Sequence, residues 1–374
     1  MSNYINIYVK GQFNKKKDET SMALIASVGT AVPKYQFEQS FAKDIISQIV
    51  PSNSLKKYLS VFDEAAIDHR YFVTDETWFQ QAHHGLKERN DLWLNEGIKL
   101  AKEAIKNCLG EVYDVSNVDA IVSVTSTGIL TPSMEVHLLN ELNFKTDIKR
   151  MPLFGLGCAG GAIGLSRAFD YIKAHPDESV LLVTCELASV AFHHQNLKPK
   201  DIVGAAIFSD GAAATLLLGE NHPKANRSNQ SQFFIKSSDS KVKPKSMDVM
   251  GWDVHDDGFY VIFDVSIPKL IEPFWKSHVD QFLNKHKMKA EEIKHIIAHP
   301  GGRKIIEEME RVLLTPNLLS HSKKVLSQYG NMSSPTVLFV LNELMKQADL
   351  EQGYALLSAL GPGFASEVVL MEVV

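Results

Sequence analysis

The chain has 374 residues, of which 45% are hydrophobic and 22% charged, and a formal net charge of −5 at pH 7. That length supports two or three domains or one large α/β unit, and the charge gives no bulk reason for a nucleic-acid or membrane partner. Three cysteines (Cys108, Cys158, Cys185) are too few and too scattered for a disulfide framework or a Cys-rich zinc site. With no signal-peptide pattern and no bilayer-length apolar run, the expected setting is the cytoplasm.

Residues 1–21 are polar, carry Lys15-Lys16-Lys17 and read as a flexible N-terminal extension. Ordered sequence is expected from Met22, where ALIASVGTAVP reads as an apolar strand running into a Gly-Thr turn. A helical pattern follows over Phe37–Ile49, and the stretch from Ser60 to Val73 contains IDHRY with Lys56 and Lys57 upstream. Trp93–Cys108 predicts a helix and Asp119–Thr125 a buried strand that ends in Ser126-Thr127-Gly128. Met151–His175 then reads as strand, tight glycine turn and helix, with Cys158 in the turn and Pro176 ending the helical pattern. Ser179–Glu186 is a further buried strand, and Ile207–Ala214 leads into an apolar run to Leu218. Helices alternating with near-continuous apolar strands predict a mixed or parallel sheet covered on both faces.

The polar stretch GENHPKANRSNQSQ marks a linker over 220–232, dividing a first half, 22–219, from a second half, 233–374. Beyond it the order of elements repeats. Ile271–His286 and Ile293–His299 mirror the helix and strand of Trp93–Thr125. The helix Ser334–Lys346 and strand Ala355–Ala359 mirror the helix after Cys158 and the strand Val180–Thr184. A duplicated α/β half predicts that two helix N-termini converge, with Cys158 at one and Asn331 at the other.

A cysteine at a helix N-terminus is favoured as thiolate, the attacking form of the group. Alone, such a Cys is more often a small packing residue, so its partners decide the matter. IAHPGG puts His299 at the end of an apolar strand, where ligand chemistry collects in α/β sheets, and YGNMSS puts Asn331 at a glycine turn before a helix. Nucleophile, base and amide donor suit attack on a carbonyl and stabilisation of the oxyanion that forms. A protonated His299 beside the sulfur would lower the thiol pKa further.

GLGCAGG, IAHPGG, YGNMSS and LGPGF, with IFSDGAAA between them, resemble the chalcone synthase-type (type III) polyketide synthases of the thiolase superfamily, nearer their bacterial branch. The resemblance runs from about Met22 to the C-terminus. It implies a homodimer of duplicated αβαβα thiolase-like subunits, acting directly on malonyl-CoA and acyl-CoA with no metal and no resident cofactor. Carried over by position, Cys158 is nucleophile and acyl carrier, and His299 and Asn331 hold the malonyl thioester oxygen as an enolate. The substrate-binding positions it implies are Phe208, Ala188, Ala191, Thr127, Thr131, Gly251, Val261, Ser333, Gly361, Pro362, Gly363, Lys57 and Arg70. Phe208 matches an aromatic gatekeeper, Gly361-Pro362-Gly363 a cavity-wall loop, and Thr131 a loop position that reaches across the dimer.

The departures from the plant enzymes carry information. Val261 stands where they have a second gatekeeper aromatic, and Ala188 and Ala191 where they have threonines. A roomier, more apolar pocket is expected, favouring an alkyl starter by about 0.8 kcal/mol per buried CH₂. That predicts a long-chain fatty acyl-CoA starter and alkylpyrone or alkylresorcinol products. Of three basic positions that hold CoA phosphates, Lys57 alone is matched; Ser60 and Glu64 take the others, leaving Lys56 and Arg70 as substitutes. A ketoacyl-ACP synthase III-like enzyme shares Cys, His and Asn but condenses once and uses a carrier protein. A papain-like hydrolase would place its Cys in a Trp-containing motif near the mature N-terminus, which is absent here. The presence of all three site residues disfavours a catalytically silent scaffold.

Overall fold

One mixed sheet organises the protein. The computed structural model describes residues 22–50, 53–81, 83–111, 113–194, 197–225, 231–313 and 317–374. The expected extension 1–21 and residues 226–230 of the expected linker lie outside the described residues. The nine strands run, edge to edge, Ile293–Ala298, Gly353–Gly361, Ala365–Val373, Phe233–Val242, Ala23–Ala31, Asp210–Gly219, Ser179–Leu187, Ala120–Thr125 and Lys149–Phe154. Ala23–Ala31 pairs antiparallel with Asp210–Gly219, and Ser179–Leu187 pairs antiparallel with that strand and parallel with Ala120–Thr125. The second half repeats the pattern: antiparallel, antiparallel, then parallel, from Phe233–Val242 out to Ile293–Ala298. Three pairs, Ala23↔Ile235 to Ile25↔Phe233, join the halves. This is the duplicated, thiolase-like α/β layering that the sequence predicts.

Burial explains why these segments read as apolar runs rather than alternating strands. Every residue of Ala120–Thr125, Ser179–Leu187 and Asp210–Gly219 is buried, as sheets covered on both faces require. The helices Gly160–Ala174 and Thr336–Met345 form the central layer, sharing one core in which Leu165, Phe169, Val337 and Leu341 meet both halves of the sheet. Helix Leu86–Leu109 covers the outer face of the first half, and Ser277–Lys285 and Arg303–Leu313 cover the second. The outer helix of the first half starts at Leu86, seven residues before the expected Trp93, because Gly85 stands at its N-cap.

Smaller elements depart from the sequence reading. Phe37, read as helical, lies in a strand Tyr35–Glu38 paired with His69–Phe72, and the helix begins at Gln39. The stretch before Phe208 is a separate helix, Pro199–Ile207, opened by Pro199 and by Lys198 N–H donating to the Asp201 carboxylate at 2.7 Å. Met250–His255 and Gly258–Phe263 form an isolated hairpin. These peripheral pieces matter because they wall a pocket. Among the described residues, no helix is long and apolar enough to cross a membrane.

The central helices approach so closely that a side chain at Gly161 has no room. A Cβ there would sit 2.3 Å from the Ser334 carbonyl oxygen and 2.8 Å from Val337 Cγ1. Gly161→Ala should therefore destabilise the fold by about 1–3 kcal/mol through overpacking against backbone. Urea unfolding measures it, and a neutral result would mean the helices are not seated as described.

Candidate active site

Cys158 lies in a single 3-10 turn, Gly157–Ala159, immediately before helix Gly160–Ala174. Gly157 has φ +48°, a conformation that favours glycine, and donates its N–H to Ser126 Oγ at 2.8 Å. Pro362 closes over this turn: a Cβ at Gly157 would meet its ring at 2.7 Å. The turn is thus pressed between Ser126 and the Gly361-Pro362 corner, with Cys158 8% exposed.

Asn331 comes from the other half and is 1% exposed. Its backbone N–H donates to Ile207 O at 2.8 Å and its carbonyl accepts from Ser209 N–H at 2.9 Å, so it pairs with the segment around Phe208. Its amide orientation is set on both sides. Oδ1 accepts the Ser333 N–H at 2.8 Å, and Nδ2 donates to Gly301 O at 3.2 Å. Oδ1 and Nδ2 lie 3.9 and 4.0 Å from Cys158 Sγ.

His299 follows strand Ile293–Ala298, anchored by its N–H to Ser358 O at 2.8 Å. Gly301 folds back beneath it, and a Cβ at Gly301 would lie 3.7–3.8 Å from the imidazole Cδ2 and Nε2. Gly301 therefore touches both partners, accepting from Asn331 and packing on His299. Both ring nitrogens of His299 are buried, with no hydrogen-bond partner among the described residues.

Burial dominates the electrostatics. It pushes the Cys158 thiol up to about 11, with hydrogen bonds from Ser333 and Asn331 pulling it part of the way back. It pushes the His299 imidazole down to about 3. Burial thus works against the thiolate expected at a helix N-terminus and against a protonated imidazole.

A buried carboxylate that the sequence reading passed over underlies the turn. Glu186 accepts from Ser126 N–H at 2.9 Å, Thr127 Oγ at 2.7 Å and Ser334 Oγ at 2.8 Å, tying the Cys158 side to the Asn331 side. Burial still raises it to about 7. A glutamate inside an otherwise apolar strand, Ser179–Leu187, is the signal that could have revealed it. Thr127 spends its hydroxyl here, donating to Glu186 and accepting from Trp93 Nε1 and Leu187 N–H.

Five other expected residues, Phe208, Ala188, Ala191, Val261 and Arg70, line one pocket. Its remaining walls, missed in the sequence, are mostly apolar, chiefly Phe37, Ile45, Ile46, Phe72, Phe79 and Phe192 with Trp252 and Tyr260 from the hairpin, and include the polar Ser189, His193 and Asp201. Phe208 joins pocket and polar centre, since its ring lines the pocket while its backbone bridges to Asn331. Arg89 braces one wall, donating to Val190 O, Phe192 O (2.8 Å) and Asp257 O (3.0 Å).

The other expected positions lie apart from this pocket. Ser333 (φ +62°), Gly361 and Pro362 pack around the Cys158 turn. Gly363 accepts from Ser246 Oγ, and Gly251 pairs with Ile262 in the hairpin. Thr131 and Lys57 are exposed. Two expectations need correction. Arg70 cannot serve a phosphate: it is 2% exposed, with its guanidinium donating to the carbonyls of Ala205 and Phe208 (3.1 Å). The extra room expected at Val261 is taken by Trp252, its cross-strand neighbour.

The chain matches the family models for the chalcone and stilbene synthases, N-terminal domain over residues 10–221 and C-terminal domain over 234–374. It is 38% identical over 363 residues to a Bacillus subtilis (strain 168) protein provisionally named a chalcone synthase, covering 94% of this chain and 99% of the relative. It is 30% identical to the 1,3,6,8-tetrahydroxynaphthalene synthase of Streptomyces peucetius subsp. caesius (93% and 92%). It is 27% identical to the alpha-pyrone synthesis polyketide synthase-like Pks18 of Mycobacterium tuberculosis (95% and 92%). Among solved structures, the C-terminal type III polyketide synthase domain of Steely1 from Dictyostelium superposes with a TM-score of 0.86 at 28% identity, over 94% of this chain and 99% of that one.

Glu186 makes a pH prediction. Between its ordinary value of 4.5 and its folded value of about 7, the native state keeps a proton that the unfolded chain has lost. The stability this confers is present at low pH and is lost as pH rises across that window. Glu186→Gln should remove the slope, shifting the wild-type-minus-variant stability by on the order of 3 kcal/mol between its ends. Urea titrations across the window measure it; a pH-independent difference would count against a protonated Glu186.

Proposed function

We infer from one premise, that the chain belongs to the chalcone and stilbene synthase family and is a type III polyketide synthase, that it condenses malonyl-CoA repeatedly onto an acyl-CoA starter carried on Cys158. The observation that carries this reading is Gly301, which accepts from the fixed Asn331 amide and packs on a His299 ring whose buried nitrogens have no hydrogen-bond partner among the described residues. Such a pair lacks only an oxygen to hold.

In the loading step Cys158 Sγ attacks the starter carbonyl as His299 takes its proton, and CoA thiolate leaves with a proton returned from the imidazolium. Each charge alone is disfavoured by burial, but the two appear together, so each offsets the desolvation of the other. A malonyl thioester then places its carbonyl oxygen against His299 and Asn331. The bond to the carboxylate breaks, CO₂ departs, and the electron pair becomes an enolate whose oxygen these donors hold. The enolate carbon attacks the Cys158 thioester, a C–C bond forms, and the Cys158 thiolate is released. No resident cofactor has a part in this sequence.

The apolar pocket beyond Phe208 supports a long-chain fatty acyl starter, since every buried methylene contributes about 0.8 kcal/mol. Alkylpyrones or alkylresorcinols are the products we propose; one relative's name also carries α-pyrone synthesis. For the CoA phosphates we keep Lys56 and Lys57, both exposed, and replace Arg70 by Arg303. Arg303 follows His299-Pro-Gly-Gly directly, and its guanidinium lies 3.8 Å from Glu64 on the segment after Lys57.

We also propose a homodimer through the outer edge strand Lys149–Phe154. That strand pairs on one side with Ala120–Thr125 and carries Phe154 at 60% exposure, with Ile129 nearby in sequence to the paired strand at 45%. A bare edge with an exposed aromatic is otherwise a liability. Phe154→Asp should convert the dimer to monomer in sedimentation velocity. A wild-type chain that sediments as a monomer would end this part of the proposal.

Incubation with malonyl-CoA and a ladder of acyl-CoA starters, products identified by mass, tests the main reading. Cys158→Ala should abolish starter loading while leaving some malonyl-CoA decarboxylation, because His299 and Asn331 remain. Ala191→Phe should cut kcat/KM for the longest starters about tenfold or more, sparing short ones. Condensation at the normal rate without Cys158 would overturn the nucleophile assignment, and an unchanged length preference would remove Ala191 from the pocket.

A further inference from the structure

The hairpin that walls the pocket pairs Trp252 directly with Val261. Residues directly opposite in an antiparallel pair project from the same face, so these two side chains share one space. Trp252 places its ring centroid 6.0 Å from that of Phe208, with 42° between the planes, and 6.1 Å from that of Phe259. The backbone of helix Pro199–Ile207 closes the opposite side. At Gly204, the point a Cβ would occupy is 3.4 Å from the Phe208 ring and 3.6 Å from Val261 Cγ1. Phe208, Val261, Trp252 and Gly204 therefore ring one constriction, just where the pocket meets the segment whose Ile207 and Ser209 bond to the Asn331 backbone. A second large ring at 261 would have to displace either Phe208 or Trp252.

We propose that Trp252 is the specificity-determining residue of this constriction: its indole and the Phe208 ring form a two-ring neck, and the small Val261 is what makes room for the indole. The proposal rests on reading the pocket as the acyl site. At 6.0 Å the two rings stand close to contact, so any acyl chain must part them, and a narrow flexible alkyl chain parts them less than a broad rigid acyl group does. Removing the indole widens the neck. Moving the ring from 252 to 261 refills the same volume from the partner strand, so the two positions must compensate. A residue that only stabilised the hairpin would give no such compensation.

The test measures kcat/KM across saturated acyl-CoA starters of increasing length and one rigid aryl-acyl-CoA, for Trp252→Ala, Trp252→Phe, Val261→Phe and the Trp252→Ala/Val261→Phe double variant. Ala191→Phe and thermal unfolding serve as controls. In Trp252→Ala the aryl-to-alkyl ratio should rise by about fivefold or more, while Trp252→Phe, which keeps a ring, stays within about twofold. Adding Val261→Phe to Trp252→Ala should bring the ratio back toward wild type, whereas Val261→Phe alone should depress all starters. An unchanged ratio in Trp252→Ala, or a double variant that fails to restore it, overturns the neck while Ala191→Phe still shifts length preference. If Ala191→Phe is silent as well, the acyl-pocket reading fails too, and the two failures are distinguished.

Discussion

Two backbone hydrogen bonds decide how this protein is put together: Asn331 N–H to Ile207 O, and Ser209 N–H to Asn331 O. They cross from the second half of a duplicated fold to the first, and they straddle Phe208. With the Glu186 bridge from Ser126 to Ser334 they set the Asn331 amide against the Cys158 turn, and they give the pocket a shared wall with the polar centre. Backbone pairing suits this task because it does not depend on side-chain rotamers. It also places a carboxamide 3.9–4.0 Å from a sulfur 173 residues away in the chain.

Around that junction burial works against charge on several groups. The Cys158 thiol is raised, the His299 imidazole lowered and the Glu186 carboxyl raised, in each case chiefly by burial. Asp210, held by Ser189 N–H (2.8 Å) and Val73 N–H (2.9 Å), is likewise raised to about 6. A centre of neutral donors is suited to a charge that appears only during reaction. A permanent cation would bind the malonyl carboxylate as readily as the enolate, stabilising the ground state along with the transition state. Neutral dipoles already aimed by Ser333 and Gly301 need little reorganisation when the enolate forms.

The legible parts of this site share one property: each is encoded locally. Cys158, His299 and Asn331 stand at boundaries between elements, flagged by glycine or proline, and an apolar strand or helix beside each can be read from its own residues. The repeat of elements was legible for the same reason. What escaped depends on which segments meet. Phe37, Ile45 and Phe72 look like ordinary core residues until the Tyr35–Glu38 strand and the helix after it are seen folded over the Ala188–His193 segment. Arg70 looked like an available cation because nothing near it in sequence reveals that the Ala205 and Phe208 carbonyls claim its guanidinium. The upward push of burial on the Cys158 thiol escaped in the same way, since a helix N-terminus is a local feature and burial is not.

This separation between local and assembled features runs through the chemistry as well. The groups placed at the reacting atoms come from the ends of the central layer, where the two halves are locked by contacts as tight as Gly161 on Ser334. The walls of the apolar pocket come from peripheral pieces: a two-stranded ribbon, one amphipathic helix, a short helix and an isolated hairpin. None of these pieces carries Cys158, His299 or Asn331, although Ile207 and Arg70 reach the Asn331 segment through Ile207 O and Gly330. Phe208 joins the two groups, because its backbone belongs to the first and its ring to the second. A substitution at Phe208 or Arg70 reaches both the pocket and the segment around Asn331, whereas hairpin residues such as Trp252 line the pocket away from that segment. Substrate range in this architecture can therefore drift by exchanging bulk between facing positions of the hairpin and helix, while the backbone hydrogen bonds on either side of Phe208 hold the reaction in place.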